Sequence, residues 1–231
     1  MRVLPSGMLA VPREAPAVLP GAVAALIGVA VLVVVVVPFL WSVAEQFATM
    51  AHEGAHACMA SLLGFTLTGV TLERDASGMT SYLGTPSAGT RTTLTGFVGY
   101  LGPSAFGLCA AKLIETGRSI TVLWLAIMLL VLLLFLIRKS FGLVSVPAAI
   151  ALLAVVTRNA HAGLEEVISY GLTWLLLLSG VRDAVAHGAD AMDAINLAAM
   201  TRVPRQVWAA AWLAGALLAV VIGGKWVVLR S

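Results

Sequence analysis

Residues 41–63 read W-S-V-A-E-Q-F-A-T-M-A-H-E-G-A-H-A-C-M-A-S-L-L, long and apolar enough for a membrane helix yet carrying Glu45, Gln46, Thr49, His52, Glu53 and His56. Glu45, Thr49, His52 and His56 recur at intervals of three to four residues, so a helix gathers them on one polar face. Ionisable groups inside a bilayer are costly, by several kcal/mol, and His52, Glu53 and His56 cluster near the middle of the run. Such a cluster calls for a metal ion or a water-filled cavity.

The rest of the chain supplies the bilayer setting. Of 231 residues, 60% are hydrophobic and 11% are charged, and the mean hydropathy is +1.00, values outside the range of soluble domains. Apolar runs at 20–40, 94–114, 119–137, 141–156, 164–179 and 207–223 join 41–63. Each approaches the roughly 20 residues that cross about 30 Å of hydrocarbon as a helix. The expected fold is an all-α polytopic membrane protein, a bundle of about six to seven transmembrane helices. The run at 20–40 is too long for a signal-peptide core and reads as a retained anchor. Gly96, Gly99, Gly102 and Gly107 allow close helix approach, and Pro103 is expected to kink or break its helix.

A small β-hairpin is expected after the second helix, from Phe65 to Leu83. Residues 65–72 alternate apolar and polar, Asp75-Ala76-Ser77-Gly78 reads as a turn, and 79–83 as the returning strand. The organisation expected is an N-terminal arm at 1–19, an intramembrane core at 20–206, and a C-terminal helix with a short tail at 207–231. The net charge of +3 is spread over many loops, which gives no nucleic-acid footprint and excludes that partner class. Seven spans with the N-terminus inside would leave nine of the fourteen basic residues in cytoplasmic loops, as the positive-inside rule favours. Cys58 and Cys109 lack C-x-x-C spacing and read as small apolar packing residues.

His52-Glu53-Gly54-Ala55-His56 is an H-E-x-x-H motif. Its imidazoles leave one helix face a turn apart, as two ligands of a tetrahedral zinc ion must. Glu53 beside them is placed to take a proton from an attacking water and pass it to the leaving amine. The chemistry implied is peptide hydrolysis. Catalytic zinc needs a third protein ligand, and Glu73, Asp183, His187, Asp190 and Asp193 all compete by residue type. A metzincin arrangement is excluded, because Met59 and Leu62 stand where it needs Gly and His. Cys58 is offset by about 200° from His56 on the helix and points elsewhere. His161 and His187 read as surface residues.

Four segments together resemble the site-2 protease family of intramembrane zinc metalloproteases, especially its small bacterial branch. They are H-E-G-A-H, the hairpin after it, G-F-V-G-Y-L-G-P-S at 96–104, and D-A-I-N-L-A-A-M-T-R-V-P at 193–204. The resemblance implies one zinc ion per chain held by His52, His56 and Asp193, with Glu53 catalytic. It also implies membrane-anchored protein substrates cut within or near their transmembrane segments, in a multi-pass protein of the bacterial cytoplasmic membrane. Ser104 follows Pro103 where better-known members often have Asn, which leaves Asn196 or Asn159 as candidates to orient the substrate carbonyl. The hairpin is a second candidate substrate-binding element, through strand pairing. Two other classes compete with a protease: a zinc or proton transporter, which would be expected to show internal duplication, and a catalytically silent membrane protein that binds metal or a partner helix.

Overall fold

The computed structural model describes residues 19–83, 89–138, 141–159 and 162–229. The arm at 1–18 and His161 lie outside them. The chain is an all-α membrane bundle with one two-stranded sheet. Its helices are α1 (Gly21–Val36), α2 (Pro38–Leu62), α3 (Thr90–Glu115), α4 (Ser119–Leu136), α5 (Gly142–Asn159), α6 (Ala162–Ala186), α7 (Met192–Thr201) and α8 (Arg205–Val228), with strands β1 (Leu67–Leu72) and β2 (Gly78–Tyr82) between α2 and α3.

Among the described residues the span count falls at the lower end of the expectation. Five helices, α3, α4, α5, α6 and α8, are long and apolar enough to cross a membrane, and α1 with α2 forms a pair bent by 101° that counts as a sixth. The bend falls at Val37, which is extended, ahead of Pro38 at the start of α2. Proline forces its predecessor out of the helical region and cannot supply the missing N–H. Hydropathy alone runs smoothly through this point, so two separate spans were expected where the bent pair stands. Arg182 of α6 holds the break: its guanidinium donates to the Val35 carbonyl at 2.7 Å and lies 4.7 Å over the Trp41 ring.

α3 is the hub, packed against α2, α6, α7 and α8. Its glycines explain the close approach. A Cβ on Gly102 would land on Ala55 of α2, and one on Gly107 would come within 2.8 Å of the Leu177 backbone nitrogen in α6. Pro103 does not end α3, which continues to Glu115 with the proline buried inside it. Neighbouring helices on several sides hold the chain helical across the lost hydrogen bond.

The hairpin lies on the polar face of α2. Gln46 donates to the Glu73 carbonyl at 3.1 Å and Thr49 to the Ala76 carbonyl at 2.8 Å, which is why a membrane helix carries these side chains. The turn is tight, with Ala76 at φ 60 and Asp75 Oδ1 accepting from the Ser77 amide and hydroxyl at 3.1 and 2.7 Å. Those bonds hold the Asp75 carboxyl below its ordinary value. The outer edge of β1 is closed where Val70 bridges Ile137 and accepts from the Arg138 amide at 2.9 Å. β2 therefore carries the sheet's other edge.

Candidate metal centre

His52 and His56 stand on successive turns of α2, and Asp193 lies in the first turn of α7. His56 Nε2 is 3.0 Å from His52 Nε2 and 3.1 Å from Asp193 Oδ2, and His52 Nε2 is 3.2 Å from the same carboxylate oxygen. Ligands about 2.0–2.1 Å from the centre of a tetrahedron stand roughly 3.3–3.4 Å apart, so the triangle is close to what a zinc ion requires. Among the described residues these three form a group able to hold a metal.

The surroundings fit an ion as well. His56 Nδ1 is 2.7 Å from the Thr95 carbonyl, which only accepts, so Nδ1 carries a proton and the neutral ring that a metal requires presents its lone pair at Nε2. Lone pairs and a carboxylate converge on one point, and a cation offsets their repulsion. A Cβ on Gly99 of α3 would land on His56 Nε2 and come within 2.7 Å of His52 Nε2. Glycine at 99 keeps that point free of side-chain atoms. Asp193 in the first turn of α7 brings a carboxylate to the same point. The α7 N-terminus favours the same negative charge.

Glu53 is 4% exposed and is held by the hairpin. The Thr80 hydroxyl lies 2.6 Å from Glu53 Oε2 and 3.1 Å from its backbone carbonyl. A Cβ on Gly78 would come within 2.7 Å of Glu53 Cγ, so β2 lies directly against this carboxylate. Glu53 is also within electrostatic reach of His56.

A match to the Peptidase M50B-like family model extends over residues 25–223. This chain belongs to that family, the site-2 proteases. M50 peptidases are zinc metalloproteases, and in this M50B-like chain the metal-capable cluster and the H-E-x-x-H helix coincide. No curated protein matched, and no solved structure did.

The other candidates from the sequence lie apart from the M50B-like cluster. Asp190 pairs with Arg205 at 3.1 Å with its side chain 86% exposed. His187 is exposed just past α6, and Glu73 sits in the hairpin turn. Asp183 on α6 is within electrostatic reach of His52 without joining the group. Asn196 is exposed on α7, one turn beyond Asp193, and Asn159 ends α5, which packs chiefly on α4. Cys58 and Cys109 are exposed. Cys58 lines a cavity of about 490 Å³ with Phe47, Met50 and Gly54 of α2 and Leu129 and Leu133 of α4. This cavity is on the side of α2 away from the histidines and is not the chemical site. Sequence reasoning missed Thr80, Thr95 and Tyr100, the last with its ring edge-on to His52 at 5.0 Å. Only the glycine spacing around 99 hinted that α3 approaches the motif so closely.

Gly99→Ala tests the metal cradle without touching a ligand. Zinc content of the purified protein should fall from about one ion per chain to near zero while the helical circular dichroism persists. Full zinc in the variant would show that the ion sits elsewhere.

Proposed function

We propose that this protein is an intramembrane zinc endopeptidase that hydrolyses peptide bonds within or near the transmembrane segments of membrane-anchored proteins. The observation that carries the reading is the juxtaposition of Glu53 with two imidazoles and a carboxylate aimed at one point within an apolar bundle. In this reading His52, His56 and Asp193 hold a single zinc ion. When bound, zinc supplies Lewis acidity toward the scissile carbonyl and toward water. Glu53 accepts the water proton and returns it to the departing amine, with Thr80 fixing the carboxylate between the two transfers. The walls of α2, α3 and α7 limit bulk water, which strengthens each electrostatic contact inside.

A transmembrane substrate hides its carbonyls in its own helix, so a stretch must unwind before cleavage. β2 is the sheet edge left to pair with such a stretch, and its contact with Glu53 would deliver the bond to the carboxylate. By the family resemblance the physiological setting is regulated intramembrane proteolysis in a bacterial cytoplasmic membrane.

Glu53→Gln should keep its zinc and lose turnover by about 10²–10⁴-fold on a tethered single-span substrate. Turnover near the wild-type level would overturn the hydrolytic role and return the transporter and the silent binder to contention. The pairing element has its own test, a photo-crosslinking residue at Met79, an exposed position on β2. In the Glu53→Gln background it should capture substrate next to the scissile bond, and capture only from positions on α4 or α5 would refute docking at β2.

A further inference from the structure

Amide hydrolysis places negative charge on the scissile carbonyl oxygen, and a donor fixed beside that oxygen before reaction lowers the barrier without reorganisation. Asn196 and Asn159 were the sequence candidates for this task, and neither is held in the cluster. Tyr100 is. One residue after Gly99, it sets its ring edge-on to His52, centroids 5.0 Å apart and planes at 81°. On the other side the ring stacks on Trp212 of α8 at 4.4 Å and 16°. Trp212 is fully buried and is itself fixed, its indole N–H donating to the Phe97 carbonyl at 2.9 Å.

The phenol ring is thereby held between the His52 ring and the Trp212 indole. Its hydroxyl makes no hydrogen bond to a described residue and lies within electrostatic reach of Asp193 and Asp183. A rigid donor without an acceptor, beside converging metal ligands, is poised for a group that arrives with substrate.

Resting on the protease reading above, we propose that Tyr100 is a catalytic residue whose hydroxyl donates a hydrogen bond to the oxyanion that forms on the scissile carbonyl. The water oxygen bonds to the carbonyl carbon, the C=O π pair moves onto oxygen, and Glu53 takes the water proton. Tyr100 keeps its own proton and shares it with that oxygen. When the C–N bond breaks, the pair on oxygen reforms the carbonyl and the Glu53 proton goes to the amine. Ring and hydroxyl have separable duties: the ring positions His52, and the hydroxyl acts on substrate.

Tyr100→Phe keeps the ring and removes the donor. On a synthetic single-span peptide in proteoliposomes, kcat should fall by about 10²–10³-fold, with KM, zinc content and melting temperature unchanged. Affinity for a peptide phosphonamidate, which mimics the tetrahedral oxyanion, should weaken by a similar factor. Tyr100→Ala should in addition lower zinc affinity. Tyr100→Phe with kcat within about twofold of wild type, or with zinc and kcat lost together, overturns the inference alone. A wild-type protein that carries zinc and cleaves nothing overturns the protease reading and this role with it.

Discussion

Two imidazole nitrogens and a carboxylate oxygen meet within 3.2 Å of one another inside an apolar bundle, and this convergence constrains the rest of the molecule. Three acceptors in low dielectric repel one another unless a cation joins them. Each neighbouring element serves that point. α3 approaches through Gly99 and Gly102 and turns the Thr95 carbonyl toward His56 Nδ1. α7 brings Asp193 in its first turn, where the helix N-terminus favours an anion.

The hairpin couples that centre to the membrane-facing part of the fold. It is fastened to α2 by Gln46 and Thr49, reaches Glu53 through Thr80, and is tied to the end of α4 at Ile137 and Arg138. The same strand pair thus orients the carboxylate and offers the edge proposed to receive an unwound segment. At the other end of α2, Arg182 satisfies a carbonyl freed by the break at Val37. A part-buried charge against an apolar bundle is costly unless paired in this way, so the bend at the start of α2 is a built feature.

Much of this was legible in the sequence, for definite physical reasons. A spacing of four residues puts His52 and His56 on one face in any helix, and the alternation at 65–72 with the turn at 75–78 marks the hairpin through backbone chemistry alone. Asp193 was different. It lies 137 residues from His56, and no periodicity links such distant positions, so only the family resemblance distinguished it from Asp183, Asp190, His187 and Glu73. The boundary between the first two helices was placed at 40/41 and not at Val37, because hydropathy is blind to backbone direction, although Pro38 was the available signal. Tyr100 was invisible as a site residue, since an aromatic side chain on an apolar helix looks like packing until Trp212 and His52 are seen on its two sides.

Zinc K-edge X-ray absorption on the purified protein probes the central claim without requiring a substrate. We expect a four-coordinate ion with two imidazole shells at about 2.0–2.1 Å, carboxylate oxygen at about 2.0–2.2 Å and no sulfur. A sulfur shell near about 2.3 Å, or an ion surrounded by oxygen without imidazole, would contradict the assignment of His52, His56 and Asp193 as the metal's ligands.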